Sequence, residues 1–229
     1  MKKQILCLAL ATLSASLFAA DAKEEVTSAA KKLGDSANYS WKTTVVVPES
    51  AQFKPGPSEG RSEKDGYTVV KSSFGDNTFE TVVKGDKTAF TDRDGEWQLA
   101  GEGGQGGGGR GGFMRNVRTP VVQAAEIAAG LKEARKDGDV IAGDLTEDAA
   151  KGLMRFRRGG GDGPSISDAK GSAKFWIKDG VLTKYEFKVT GKMEFNGNDI
   201  DVDRATTVEI KDVGTTKVEV PEGAKKKLS

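Results

Sequence analysis

Two short motifs have the spacing of a serine nucleophile with a lysine base. They are Ser28-Ala-Ala-Lys31 and Ser167-Asp-Ala-Lys170. In the β-lactamase class this motif works together with S-D-N and K-T-G segments, and neither segment accompanies these two copies. Both motifs are therefore interpreted as chance matches to a short pattern, the first of them inside an N-terminal helix.

The residue types that most often carry catalysis are scarce. The sequence contains no histidine, and its single cysteine, Cys7, lies in the N-terminal apolar run. Serine–histidine and cysteine–histidine pairs, thiolate zinc sites and imidazole metal sites are thereby excluded. A carboxylate pair of the glycosidase kind remains an open alternative, but no acidic pair stands out from the others. We therefore expect no enzyme activity and no cofactor.

Three alternate aspartates resemble the beginning of a calcium-binding loop. They are Asp199, Asp201 and Asp203, but Ile200 and Val202 separate them and the sixth position is Arg204 instead of glycine. The outward face of a β-strand explains the same spacing, and no metal site is predicted here.

A glycine-rich segment at residues 101–112 contains the pattern G-x-G-x-x-G at Gly101, Gly103 and Gly106. A dinucleotide fingerprint requires a helix that opens directly on the glycines, whereas the next helical pattern begins near Pro120. The GRGGF stretch resembles a single Arg-Gly box, which is read as coincidence in a neutral chain. We predict surface loops here and at the second glycine-rich segment, residues 159–163.

Several arginines lie beside these two loops and could rim an opening that meets anionic head groups, because guanidinium groups bind such groups in a bidentate manner. Solvated loop charge is the simpler alternative. The candidates are Arg110, Arg115, Arg118, Arg155, Arg157 and Arg158.

The N-terminus has the features of a secretory signal. Lys2 and Lys3 precede an apolar run that ends at Ala20-Asp21-Ala22, so we predict a signal peptide at residues 1–22 and a single domain at residues 23–229. The apolar run is shorter than the roughly 20 residues of a spanning helix. Removing the signal leaves equal numbers of basic and acidic side chains, so we expect a periplasmic or secreted protein with no nucleic-acid partner and no integral membrane span.

Hydrophobic periodicity predicts strands and helices in separate blocks. A short helix at residues 23–33 precedes about five strands, with residues 51–60 as a loop because they contain two prolines and two glycines. Two helices are predicted at Thr119–Asp137 and Thr146–Phe156, and three or four long strands follow. Strands in hairpin order with grouped helices indicate an α+β fold with an antiparallel sheet.

The last hairpin has the clearest pattern. Tyr185, Phe187 and Val189 alternate with charged residues, and Asn196-Gly197 is a strong hairpin turn signal. A two-residue turn places Tyr185 opposite Val208 on the dry face and places Arg204, also on that face, opposite Val189. At the preceding turn, Asp179-Gly180, we predict a three-residue loop that places Phe175 opposite Thr183 and Ala173 opposite Tyr185.

The segments GSAKFWIKDGVLTKYEFKVTG and TTVEIKDVGTTKVEVPEGAKKKL resemble the end of the periplasmic half-barrel carriers. These are the outer-membrane lipoprotein carriers and the related mycobacterial lipid-binding lipoproteins. KGDKTAFTDRDGEW is similar to their middle hairpin. The resemblance covers about half of the chain after the signal. It implies a curved antiparallel half-barrel whose concave face, covered by helices, holds acyl chains, and an arginine inside the cavity that holds a lid, for which Arg204 is the candidate.

Two functions from different classes follow. The first is an envelope protein that binds or carries the acyl chain of a lipid or lipoprotein in an apolar cavity. The second is a structural, interaction or envelope-sensor module with a filled core. The residues expected to line the cavity are Phe175, Ile177, Tyr185, Phe187, Val189, Arg204, Val208, Ile127, Leu131, Met154 and Phe156.

Overall fold

The architecture is an eleven-stranded antiparallel half-barrel with helices over its concave face, seen in a computed structural model. The structure describes residues 21–51, 54–75, 77–101, 117–155, 164–195 and 197–229. Most of both glycine-rich segments, nearly all of the expected signal peptide, Phe156 and four of the candidate arginines (Arg110, Arg115, Arg157 and Arg158) lie outside these residues.

The strands form a single sheet in the order β6-β5-β4-β3-β2-β1-β11-β10-β9-β8-β7. Two meanders are therefore joined where the first strand pairs with the last. The strands are β1 Asn38–Val46, β2 Pro55–Glu63, β3 Tyr67–Phe74, β4 Asn77–Lys84, β5 Lys87–Thr91, β6 Trp97–Leu99, β7 Arg135–Asp137, β8 Val140–Asp144, β9 Ser165–Lys178, β10 Val181–Phe195 and β11 Asn198–Lys211. The helices are α1 at residues 21–34, α2 Pro120–Ala129, α3 Glu147–Met154 and α4 Glu222–Leu228.

The hairpin of β10 and β11 has the register that the sequence predicts. Tyr185 lies opposite Val208, and Arg204 lies opposite Val189. The alternation of dry and wet side chains fixes this register because a slip by one residue would turn every apolar side chain toward water.

The predicted three-residue loop between β9 and β10 is wrong. Asp179 and Gly180 form a two-residue turn with φ values of 54° and 72°, and Val181 lies directly opposite Lys178. The extra residue is inserted beyond the turn, where the register shifts between Leu182 and Lys184, so Tyr185 lies opposite Phe175. A β-bulge inside β10 thus keeps the apolar side chains on one face. The prediction had placed the extra residue in the turn instead.

The segment predicted as a loop at residues 51–60 contains most of β2. Its prolines occur at the beginning of the strand, where the pairing with β3 is irregular between Pro55 and Ser58. Proline is tolerated at such positions because no regular ladder hydrogen bond is required of it. Gly60 lies opposite Trp41 of β1 and leaves room for the indole.

The helix predicted at Thr119–Asp137 ends at Ala129, with Gly130 as its C-cap residue. The remaining residues form β7, which pairs with β8 around the turn at Gly138, where φ is 57°. The apolar spacing continued into Leu131, but this residue makes an isolated β-bridge with Leu145 instead of a further helical turn. The C-cap glycine at position 130 and the pairing of β7 with β8 therefore end the helix, although the helical periodicity of the sequence continues.

Two apolar clusters lie on opposite faces of the sheet. Neighbouring residues of β3 show this, because Val70 packs against the larger cluster and Val69 packs against the smaller one. The larger cluster combines the concave face with α1, α2 and α3. In the smaller cluster, Ala224 and Leu228 of α4 cover Val82 on the convex face.

Candidate functional site

The interior between the concave face and the helices is the candidate site. Strands β9, β10 and β11 direct alternate side chains toward it, and the rings of Phe175 and Tyr185 stack there at 6.2 Å between centroids. The ring of Tyr39 approaches that of Trp41 at 5.7 Å in the same cluster. Aromatic side chains from both meanders therefore meet at the centre of the sheet.

Nine of the eleven residues predicted to line a cavity are buried and belong to this cluster. They are Phe175, Ile177, Tyr185, Phe187, Val189, Val208, Ile127, Leu131 and Met154. Each is at most 6% exposed, so these side chains fill the interior in this conformation.

Helix α1 also belongs to this interior, although its apolar spacing indicated only a helix. Val26, Ala30 and Leu33 of α1 are fully buried in the same cluster. Its flanks are tied to the sheet, since the ammonium group of Lys32 donates to the carbonyl of Asp179 at 2.7 Å. Three helices, not two, therefore cover the concave face.

Helix α3 lies on a strip of small residues. Thr146 caps its N-terminus by accepting a hydrogen bond from the Ala149 backbone amide at 3.2 Å. Only Ala150 and Met154 of the helix are buried. A Cβ built at Gly191 would lie 3.0 Å from the Met154 methyl carbon. The close approach of α3 to the sheet thus depends on the missing side chain at Gly191.

Arg204 is a charged residue on the inner side of the sheet. It is half-buried on the dry face of β11, where the sequence analysis placed it. Its guanidinium group donates a hydrogen bond to the carbonyl of Leu153, in the last turn of α3. Burial lowers the pKa of Arg204, but guanidinium groups keep their charge in proteins. A cation therefore contacts the negative end of the helix dipole of α3.

A second set of polar groups lies under α2. The hydroxyl of Tyr185 donates to Gln123 Oε1 at 2.6 Å, and burial raises the pKa of Tyr185 strongly. Burial also raises the pKa of Tyr39, and hydrogen bonds with the Thr119 and Ser62 side chains partly offset this effect. Sequence reasoning missed Gln123, although its position one turn before Ile127 on the apolar side of α2 was a usable signal.

The two candidate arginines within the described residues lie at the surface. Arg118 forms an ion pair with Glu126 at 2.6 Å, and its side chain is 33% exposed. Arg155 is exposed at the end of α3.

Two depressions open at the surface. One, of about 510 Å³, lies near β7 and β8, and its lining includes Lys132, Arg135, Asp144, Ala173 and Lys174. The other, of about 310 Å³, adjoins the interior, because buried Tyr39 is among its lining residues together with Ser62 and Thr119. The first depression also reaches the main apolar cluster, at buried Ala173.

The alternate aspartates at the beginning of β11 lie on the wet face as strand residues. Asp201 is exposed opposite Lys192. Within the described part of the chain, no group of three or more histidine, cysteine or carboxylate side chains is arranged to hold a metal ion. Across the same residues, no helix is both long enough and apolar enough to cross a membrane.

Comparisons with known proteins give similarities at the level of structure. No protein-family model and no curated protein matches the sequence. Solved structures that match include LprF of Mycobacterium bovis, at 12% identity and a TM-score of 0.46 over 89% of this chain and 97% of that one. The Mycobacterium tuberculosis lipoprotein LppX matches at 10% identity and a TM-score of 0.48, over 88% of this chain and 98% of that one.

A LolA-superfamily protein of Nitrosomonas europaea matches at 8% identity and a TM-score of 0.34, over 88% of this chain and 95% of that one. The reported matches thus include a mycobacterial lipoprotein and a LolA-superfamily protein, as similarities of fold.

Proposed function

We propose that this protein is exported to the periplasm or beyond and binds the acyl chain of a lipid or lipoprotein between the concave face and α3. In this proposal the structure described above is the closed form. Helix α3 is the movable lid, and the acyl chain takes the place that α3 and Met154 occupy on the sheet.

The observation that carries the proposal is the contact between Arg204 and α3. A half-buried cation inside an apolar interior is costly unless it is paired, and Arg204 donates a hydrogen bond to a carbonyl of the lid itself. The hydrogen bond holds α3 to the sheet by a polar contact that can break without disturbing the strands. Arg204 therefore serves as a latch for the lid.

The surface beneath α3 suits a chain of methylenes. Gly171 and Gly191, which lack side chains, lie on the dry face of β9 and β10 together with Ala173, which is opposite the large ring of Phe187. A helix is about 10 Å wide with its side chains, so displacement of α3 would leave a groove wide enough for an acyl chain. The floor of such a groove would be smooth and apolar.

The energies permit this exchange. Exposing the buried Met154 side chain costs about 1.5–3 kcal/mol, and burying an acyl chain contributes about 0.8 kcal/mol per methylene. A chain of about a dozen methylenes would thus gain roughly 10 kcal/mol before ordering costs. A bound acyl chain can therefore offset the opening of a lid this small.

The test is saturable binding of a neutral probe, a monoacylglycerol with a pyrene-labelled acyl chain. Wild type should bind it with saturation. Arg204→Met keeps the side-chain volume but removes the latch, so the open form becomes more populated and the apparent affinity should rise. Arg135→Met, an exposed arginine on β7, is the matched control and should bind as wild type does.

Movement of the lid can be followed in the same variants. The chain after the predicted signal contains no cysteine, so Asp148→Cys on the exposed side of α3 offers a single site for a spin label. The label should become more mobile when the probe binds and when Arg204 is replaced. A label whose mobility responds to neither change would contradict the lid.

A second function is supported by the close fit of the interior. Because nine of the predicted lining residues are buried side by side, the chain also suits a non-catalytic interaction or sensor module with a filled core. Absence of saturable probe binding in both wild type and Arg204→Met would favour this alternative over the carrier.

A further inference from the structure

We propose that the depression lined by Tyr39, Ser62, Thr119 and the carboxylates of Asp35, Glu63 and Asp65 binds the ammonium-bearing head group of an acyl lipid. This depression is called the head-group site below. The proposal rests on the proposed function, because the acyl chain of the same molecule would lie in the interior.

The head-group site lies where four elements meet at one end of the half-barrel. The C-terminus of α1, the first residues of β1, the turn between β2 and β3 and the residues before α2 enclose about 310 Å³. The site adjoins the interior directly, because Tyr39 both lines the site and belongs to the main apolar cluster. A molecule whose head lies here can therefore direct its chain past Tyr39 toward the core.

The floor of the site carries hydroxyl groups. Tyr39 is 5% exposed and Ser62 is 8% exposed, and the Ser62 hydroxyl lies 2.8 Å from that of Thr68. The Tyr39 hydroxyl lies close enough to the side chains of Thr119 and Ser62 for both to lower its pKa. Hydroxyls both donate and accept, so this floor can bind the ester and phosphate oxygens that join a polar head to its acyl chains.

The charges around the site select among head groups. Asp35, Glu63 and Asp65 line it together with a single cation, Lys64. The ammonium groups of Lys64 and of nearby Lys31 each lie 3.8 Å from Asp35. The carboxylates of Glu63 and Asp65 leave an excess of negative charge at the rim, which attracts an ammonium group and repels a head group that is only anionic.

The head group favoured by these charges differs from the anionic head group that the sequence suggested. Arginines beside the glycine-rich loops were expected to meet anionic head groups, but Arg118, the one nearest this site in the chain, is already paired with Glu126. The described charges that line the depression are mostly acidic. An ethanolamine head group, with its phosphate on the hydroxyl floor and its ammonium at the rim, fits this pattern.

The experiment compares two lipids that differ only in the head group. Dioctanoyl phosphatidylethanolamine and dioctanoyl phosphatidylglycerol, each below its micelle concentration, compete with the pyrene-labelled monoacylglycerol for the full chain without its signal. The ethanolamine lipid should displace the probe at a concentration about fivefold lower, the size expected for a partly exposed ion pair. Glycerophosphoethanolamine, which has the head without acyl chains, should displace little, which separates a lipid from a free amine as the ligand.

The double variant Glu63→Gln, Asp65→Asn should abolish the preference for the ethanolamine lipid, so that both lipids displace the probe at about the same concentration. Each change removes a charge and keeps the shape of the side chain. Asparagine tolerates the left-handed backbone of residue 65, where φ is 55°. The matched control is Asp137→Asn with Glu219→Gln, which removes the same charge from exposed positions elsewhere and should keep the preference.

Equal displacement by the two lipids, a preference for phosphatidylglycerol, or an unchanged preference in the double variant would each overturn the head-group site while leaving acyl-chain binding intact. Failure of the probe to bind at all would refute the proposed function, and the head-group site would fall with it. The two failures are therefore distinguishable in one set of titrations.

Discussion

At the scale of single residues, the packing of Trp41 on β1 depends on the absence of a side chain at Gly60 on β2. A Cβ built at position 60 would lie 2.0 Å from Cζ2 of Trp41, whose side chain is 5% exposed. We expect Gly60→Ala to displace the indole and to lower the free energy of unfolding by about 1–3 kcal/mol, the usual cost of overfilling a core. Urea unfolding followed by tryptophan fluorescence measures the loss, and the emission spectrum reports the shifted indole.

Gly152 provides the opposite case and the control. It lies in α3, is exposed, and has nothing within 4 Å of a Cβ built on its backbone. Gly152→Ala should raise the free energy of unfolding by about 0.5–1 kcal/mol, because alanine loses less backbone freedom in a helix than glycine does. If the two alanine variants changed stability in the same direction, the close contact at Gly60 would not be what decides the effect.

Single residues also mark what the sequence could and could not predict of the site. Arg204 and Tyr185 were placed on the dry face because a strand with clean alternation leaves one possible register for its hairpin. The hydrogen bond between Tyr185 and Gln123 was not predictable, because its partners are separated by 62 residues and belong to different elements. Local patterns assign a side chain to a face, whereas the partner across the interior depends on how helices lie on the sheet.

At the scale of elements, the convex face carries a row of charges of alternating sign across six strands. Register pairs connect Lys184 to Glu209, Glu209 to Lys42, and Lys42 to Glu59, and the row continues through Lys71 to Glu80. Glu80 and Lys71 form an ion pair at 3.0 Å. Opposite charges in cross-strand pairs favour a register, so this row supports the junction between the two meanders.

Glu209→Lys tests the row at its most informative position. It would place three lysines side by side on β10, β11 and β1, and we expect the free energy of unfolding to fall by about 0.5–2 kcal/mol. Chemical unfolding at low and at high salt measures the change, and the deficit should shrink at high salt because exposed charges are screened. Glu219→Lys, exposed and outside the strands, should stay within about 0.5 kcal/mol of wild type. A deficit that salt does not reduce would argue against an electrostatic role of the row.

Elements with strong periodicity were predicted well, and elements built by long-range pairing were not. The three long strands and the helices α1 and α3 followed from alternation, helical spacing and a threonine cap. Strand β2 was taken for a loop, since prolines and glycines are turn residues in isolation and its strand character comes from pairing with β1 and β3. Strands β7 and β8 are short segments at one end of the sheet, and β7 was hidden by an apolar stripe that continued past Gly130.

At the scale of the whole molecule, the sheet separates a large interior from a small convex cluster closed by α4. In the large interior, burial raises the pKa of both Tyr39 and Tyr185. The carrier proposal gives this arrangement a purpose, because hydroxyls held neutral and dry can meet the oxygens of a ligand without bringing a charge into the core. The same burial makes global stability depend on pH in the alkaline range.

Stability falls as the pH rises, because the unfolded chain loses its tyrosine protons at a lower pH than the folded chain does. In the unfolded chain a tyrosine ionises near its ordinary pKa of about 10, whereas in the folded chain Tyr39 and Tyr185 keep their protons to higher pH. Stability is therefore unaffected by these groups below pH of about 10 and falls above it, by up to about 1.4 kcal/mol per pH unit for Tyr185. Tyr185→Phe removes one of the two groups and also the hydrogen bond to Gln123, so it should cost about 1 kcal/mol at neutral pH. The loss per pH unit should then be clearly smaller than that of wild type. Urea unfolding at a series of pH values measures both quantities, and subtracting the curve of the variant from that of wild type removes the contribution of lysines that titrate in the same range.

Identical slopes in the two proteins would mean that the Tyr185 hydroxyl ionises as readily in the folded interior as in water, which would contradict a dry site under α2.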